Sequence, residues 1–196
     1  CDDFCAFCII PHLRGPSVSR PTAAILEHAR ALAAAGYKEI DLTGVHTGAY
    51  GMDLATPTTL LAMLEQLVRV DGIERIRLNS IEPATVSEEL LDFIAASPKI
   101  CQHLHICLQS GDDDILRLMR RHYDVASYER LITNVMRRMP ECGLGSDMLV
   151  GFPGETEAHF ERTLRVVERL PLSYLHVFSY SARPGTPATK YPGQVH

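Results

Sequence analysis

Residues 23–44 read AAILEHARALAAAGYKEIDLTG, and this stretch decides the fold. Ala23 to Ala35 has the composition and apolar spacing of an amphipathic helix, opened by Pro21-Thr22 and stopped by Gly36. Glu39 to Thr43 then forms a short strand ending at Gly44. The same unit recurs along the chain. Thr58 to Val70 carries Leu60, Leu61, Leu64, Leu67 and Val68 on one stripe and leads into a strand from Arg75 to Ser80. Ser87 caps a helix through Ala95, with Glu88 and Glu89 favourably placed in its first turn, and a strand from His103 to Leu108 follows. Helices over Asp112 to Arg121 and Tyr128 to Arg138, a strand over Leu144 to Val150, a helix over Glu157 to Leu170 and a strand over Tyr174 to Ser179 complete the pattern.

Five strands alternating with helices predict an α/β fold, a parallel sheet flanked by helices that either stays open or curls into a barrel. Polar and glycine residues follow nearly every strand: Gly44-Val45-His46, Ser80-Ile81-Glu82, Gln109-Ser110-Gly111, Gly151-Phe152-Pro153-Gly154 and Tyr180-Ser181. Strand ends that all carry such residues mark the ligand-binding end of an α/β barrel.

The chain has 196 residues, 46% of them hydrophobic, enough for one domain with a substantial core. Its net charge of -5 argues against a broad basic surface for nucleic acid, so an RNA contact is expected to be local or supplied by another domain. No apolar run approaches the length of a membrane span, and a cytoplasmic, reduced protein is expected. Cys101, Cys107 and Cys142 are scattered and are not expected to form disulfides; Cys107 reads as a small buried apolar residue.

The chemistry concentrates in Cys1-Asp-Asp-Phe-Cys5-Ala-Phe-Cys8. Three thiolates on one short loop suit a 4Fe–4S cluster whose fourth iron has no protein ligand, an open coordination position of the kind that marks a reactive metal. Zinc, a disulfide, or a redox pair formed by Cys5 and Cys8 alone are the competing readings. A chain starting at a ligand is expected to be a piece of a longer polypeptide.

The segment CDDFCAFCIIPHLRGPSVSRP resembles the cluster-binding segment of the radical S-adenosylmethionine superfamily, and in detail its methylthiotransferases. Residues 42–51 (LTGVHTGAYG), 76–83 (IRLNSIEP), 103–113 (HLHICLQSGDD), 146–156 (SDMLVGFPGET) and 180–188 (YSARPGTPA) resemble further family segments in order. The resemblance implies a partial (βα)6 radical-SAM barrel of parallel strands, its first strand absent, spanning residues 1–196 as one core domain. It further implies a 4Fe–4S cluster on Cys1, Cys5 and Cys8 that chelates S-adenosyl-L-methionine and cleaves it to a 5'-deoxyadenosyl radical. Thr43, Gly44, His46, Ser80, Glu82, Gln109, Ser110, Gly151 and Phe152 are the implied cofactor contacts, with Phe4, Phe7, Ile9 and Ile10 as an apolar wall around the ligands.

Residues 42–51 are most similar to the branch acting on N6-threonylcarbamoyladenosine 37 of tRNA, implying transfer of a methylthio group to C2 of that base. The alternatives are a sister methylthiotransferase acting on isopentenyladenosine 37 of tRNA or on a ribosomal-protein aspartate, and, from a different class, a non-catalytic iron–sulfur or zinc-binding module. A second, auxiliary 4Fe–4S cluster and a domain gripping the tRNA anticodon loop are expected outside residues 1–196, with flavodoxin or ferredoxin as electron donor. Arg14 and Arg20 are candidates for a carboxylate or phosphate contact. Arg117, Arg120, Arg121, Arg137 and Arg138 form a dense basic stretch, read as solvated or as touching tRNA phosphate. His46, His103, His105 and His176 make no metal motif by spacing.

Overall fold

A computed structural model describes residues 1–195. Seven helices and five strands alternate: α1 (Ile10–Arg14), α2 (Thr22–Ala34), β1 (Glu39–Leu42), α3 (Leu60–Leu67), β2 (Arg75–Leu78), α4 (Glu88–Ala96), β3 (His103–His105), α5 (Asp113–Leu118), α6 (Val125–Arg138), β4 (Gly143–Val150), α7 (Glu157–Arg169) and β5 (Tyr174–Ser179). The stretch divides into two compact units. Unit 1 comprises Cys1–Pro16, Ile106–Asn134 and the chain from Leu144 onward; unit 2 comprises Ser17–His105 and Val135–Gly143.

In unit 2, β1 and β2 pair in parallel with Glu39 opposite Arg75 and Leu42 opposite Leu78. On β2, Ile76 and Leu78 point inward between the outward Arg75 and the half-buried Arg77, the two-residue alternation of a sheet with one covered face. A parallel bridge joins Ile76 to Ile100, and the Ile81 amide donates to the His105 carbonyl at 2.9 Å. Helix α3 buries Leu60, Met63, Leu64 and Leu67, one stripe at helical spacing, and Thr59 caps it by accepting from the Ala62 amide at 3.1 Å. Ser87 caps α4 by accepting from Leu90 at 3.1 Å, as its position before Glu88-Glu89 predicts.

In unit 1, β4 and β5 pair in parallel from Gly145 opposite Tyr174 to Val150 opposite Ser179. On the other side of β4 runs the chain after β3: Ile106 donates to the Gly145 carbonyl at 3.0 Å and Gln109 to the Asp147 carbonyl at 2.8 Å. The fully buried Tyr128 of α6 locks this arrangement, its hydroxyl lying 2.7 Å from the Ile106 carbonyl and 3.2 Å from Ser146 Oγ. Burial pushes the Tyr128 phenol far above its ordinary pKa, so it stays a donor at all working pH values. Thr156 and His159 form a capping box at the start of α7.

Several boundaries differ from the sequence reading. The helix expected from Thr58 begins at Leu60, because Thr59 takes the extended conformation of a cap. The strand expected through Leu108 is regular only to His105, and Gln109, with φ of 67°, ends the extended run. The segment after the cysteines, in which the sequence shows no helical period, contains α1, which has Pro11 in its first turn and Gly15, at φ of 74°, closing it.

Candidate cluster and cofactor site

The Cys1–Cys8 loop belongs to unit 1 and is fastened by backbone bonds on both sides. The Ala6 amide donates to the Met119 carbonyl at 2.9 Å, and the Ala6 carbonyl accepts from Ala188 at 2.9 Å. Ala6 is fully buried in a cluster with Ile115, Met119, Leu149, Phe152 and Ala188, against which Phe7, Tyr180 and Tyr191 pack. Within the loop, the Cys8 amide donates to the Cys5 carbonyl at 3.0 Å, making a turn that presents both thiols. Phe4, with φ of 47°, takes the left-handed conformation that bends the chain between Cys1 and Cys5.

All six cysteines are free thiols. Cys5 is buried, Cys1 and Cys8 are half-buried, and Cys1 Sγ lies 3.3 Å from Asp3 Oδ2. Arg121 Nη1 donates to Cys5 Sγ at 3.0 Å. Three cysteines on one loop, none of them in a disulfide, form the donor set that an iron–sulfur cluster takes. The residues therefore fit the cluster. Phe7 and the half-buried Ile9 and Ile10 supply apolar surface near the thiols, while Phe4 is 49% exposed with its ring edge-on to His12 at 6.0 Å. Cys142, in unit 2, is buried, and burial pushes its thiol up to about 11.

The candidate cofactor residues fall into two groups, one in each unit. In unit 2, Thr43 and Gly44 are exposed and His46, Ser80 and Glu82 half-buried. The turns after β1 and β2 are tied together there: Thr47 Oγ1 donates to the Ser80 carbonyl at 2.8 Å. A Cβ on Gly48 would lie 1.9 Å from Thr85 Oγ1, so only glycine allows this approach. In unit 1, Gln109 is half-buried and Gly151, at φ of 73°, receives the Glu155 carboxylate on its amide. Burial, outweighing that bond, raises the Glu155 pKa.

Two of the expected contact residues have buried side chains. Ser110 is 1% exposed, with its hydroxyl 3.3 Å from Thr163 Oγ1 and accepting from the Asp112 amide, so it knits α7 to the start of α5. Phe152 is fully buried between Phe7, Tyr180 and Tyr191, at ring-centroid distances of 6.4, 5.6 and 6.2 Å. Its side chain supports the cysteine loop from beneath. Sequence reasoning placed both at the right strand ends, but burial is decided by partners such as Thr163 and Phe7 that are remote in the chain.

The basic stretch is not one surface. Arg117 pairs with Asp114 at 2.7 Å, Arg138 is held by Asp92 and Glu88, and Arg121 turns inward to Cys5. Arg14 is exposed in the last turn of α1; Arg20 and Arg183 are exposed, each using its carbonyl as an acceptor, from the Tyr50 and Thr186 hydroxyls respectively. His103, half-buried and desolvated, has a lowered pKa, and His176 Nδ1 lies 3.3 Å from Asp147 Oδ1. Cys107 is buried as expected, with Sγ 3.4 Å from Asp147 Oδ2.

Residues 1–167 match the model of the radical SAM superfamily, and the chain belongs to that superfamily. Among its relatives are tRNA methylthiotransferases. The chain is 42% identical over 195 residues to the tRNA-2-methylthio-N(6)-dimethylallyladenosine synthase of Syntrophotalea carbinolica, covering all of this chain and 44% of that protein. It is likewise 42% identical over 195 residues to the threonylcarbamoyladenosine tRNA methylthiotransferase MtaB of Bacillus subtilis, covering all of this chain and 43% of that one. The chain thus spans less than half the length of these relatives. Among solved structures, the radical S-adenosylmethionine methyltransferase TsrM of Kitasatospora setae superposes with a TM-score of 0.79 at 20% identity, over 96% of this chain and 36% of that one. Coproporphyrinogen III oxidase HemN of Escherichia coli gives 0.67 at 19% identity, over all of this chain and 45% of that one. These likenesses show the α/β fold of the radical SAM enzymes, the partial-barrel class that the family resemblance implies.

Proposed function

We propose that this chain is the radical-generating core of a methylthiotransferase acting at C2 of N6-threonylcarbamoyladenosine 37 in tRNA. The observation that carries the reading is the three-cysteine loop, free and rigidly seated in unit 1, within a chain 42% identical from end to end to MtaB. Cys1, Cys5 and Cys8 hold the 4Fe–4S cluster. When bound, that cluster supplies the electron that cleaves S-adenosyl-L-methionine.

The chain's own residues orient and shield. The Ala6 bonds to Met119 and Ala188 fix the loop against the core, and Phe7, Ile9 and Ile10 keep water from the thiolates. In unit 1, contacts to S-adenosylmethionine are assigned to Gln109 and the Gly151 backbone. The auxiliary cluster that furnishes sulfur, the surface that grips the anticodon loop and the docking site of a flavodoxin or ferredoxin are assigned to the remainder of the full-length protein. A net charge of -5 on this chain accords with a catalytic core whose RNA affinity comes from elsewhere.

Nucleoside analysis of tRNA from a strain lacking the gene tests the reading. The methylthio group is expected to vanish from threonylcarbamoyladenosine and to return with the wild-type gene but not with Cys5→Ala. A second reading, isopentenyladenosine 37 as substrate, is favoured by the equal 42% identity to the Syntrophotalea enzyme. Loss of the methylthio group from that base alone decides for it.

A further inference from the structure

Residues 119–123 run beside the cysteine loop, joined to it by the Met119 carbonyl and the Arg121 side chain. Helix α5 ends in two bonds, Arg120 N to the Arg117 carbonyl at 3.0 Å and Arg121 N to the Leu116 carbonyl at 2.9 Å. Arg120 itself takes a φ of 60°, the left-handed position that glycine or asparagine usually fills at a helix end. A side chain there costs on the order of 1 kcal/mol. That turn aims the next side chain back at the loop. Arg121 Nη1 donates to Cys5 Sγ at 3.0 Å, while its Nε donates to Tyr123 Oη at 3.2 Å and its guanidinium lies 5.1 Å from the centre of the Tyr123 ring. Tyr123 is anchored in turn, its hydroxyl 2.9 Å from the Cys107 carbonyl and 2.8 Å from that of Leu108. The guanidinium is therefore held from behind and cannot drift away from the sulfur without breaking contacts on both sides.

Resting on the cluster assignment above, we infer that Arg121 is a positioning residue that sets the reduction potential of the cluster through Cys5. The reduced cluster carries one more negative charge than the oxidised one. A fixed cation and an N–H···S bond at a ligand sulfur stabilise the reduced form more, which raises the potential. Among the arginines of the basic stretch, this is the one whose charge is spent on sulfur, so tRNA phosphate is not its partner. Arginine suits the role because it remains charged and its planar fork reaches sulfur and phenol at once.

The test is the midpoint potential of the full-length, anaerobically reconstituted protein, followed through the reduced-cluster EPR signal that changes on adding S-adenosylmethionine. Arg121→Gln is expected to make reduction about tenfold less favourable, a lowering of about 59 mV for a one-electron couple. Arg121→Lys, which keeps the charge but not the fork, is expected to lower it by less. Either variant matching the wild-type potential at wild-type iron and sulfide content overturns the inference. Loss of the cluster from both variants also overturns it, since Arg121 then holds the loop instead of tuning the metal. A wild-type protein without such a signal overturns the proposed function itself.

Discussion

Replacing Phe152 with alanine removes the ring on which the cysteine loop is seated. Phe152 is fully buried and meets three rings edge-on, Phe7, Tyr180 and Tyr191. At about 25 cal/mol per Å², withdrawing a phenyl group from such a site costs about 3 kcal/mol in transfer terms, and losing edge-to-face contacts adds about 1 kcal/mol. The sum of about 4 kcal/mol lies within the roughly 3–5 kcal/mol expected for Phe→Ala in a core. For a chain of this size, it corresponds to a fall in Tm of roughly 8–16 °C. The assay is thermal unfolding followed by circular dichroism, with Phe152→Leu as a volume-keeping control expected to cost about 1 kcal/mol. Because Phe7 sits between Cys5 and Cys8, iron uptake should fall in the alanine variant as well. A fall in Tm of less than about 4 °C, equivalent to about 1 kcal/mol, would refute the seating argument.

Other perturbations probe the scaffold around the site. Asp112 caps α5 through the Asp114 and Ile115 amides and is paired with Arg162; burial alone would raise its pKa, but these bonds outweigh it and hold the carboxyl below its ordinary value. Its stabilising contribution is therefore complete above the unfolded carboxylate pKa of about 3.9 and disappears as pH falls through the lower folded value. Asp112→Asn should cost about 1–2 kcal/mol at neutral pH in urea unfolding, a difference that closes under acid; a difference independent of pH contradicts the assignment. In Gly111→Ala the new Cβ would lie 2.7 Å from Thr163 Cα and 2.9 Å from Val166 Cβ, forcing α7 outward at a cost of roughly 1–3 kcal/mol, whereas an unchanged Cm would show that α7 yields freely. Tyr128→Phe takes the hydroxyl donor from the Ile106 carbonyl and leaves the Ser146 hydroxyl with the Leu108 amide as partner, and is expected to lose about 1–2 kcal/mol in the same assay; neutrality would mean that the Ile106 carbonyl finds another donor.

How far the molecule was legible in its sequence depended on the range of the interactions involved. Helix α3, with leucines at helical spacing, and the Ser87 cap of α4 are set within a few residues, and both fall where periodicity places them. The five strands lie where short β-rich runs end in glycine or polar residues, with β1 and β2 one and two residues shorter than expected and β3 shortened most. Helix α1 is not legible from the sequence although Pro11 and Gly15 carry the start and stop signals, because five residues offer no period to recognise. The cysteine motif is local in the chain and was readable at once. Its surroundings were not: Arg121 reaches Cys5 across 116 residues, and Ser110 meets Thr163 across 53, so nothing near either residue distinguishes it from a solvated arginine or a cleft serine.

The central claim is that Cys1, Cys5 and Cys8 together carry a cluster that opens S-adenosylmethionine. Its most direct measurement is the formation of 5'-deoxyadenosine by the reconstituted, reduced full-length protein, compared with its Cys5→Ala variant. Wild-type protein is expected to release 5'-deoxyadenosine and the variant none; equal release by both would contradict the account.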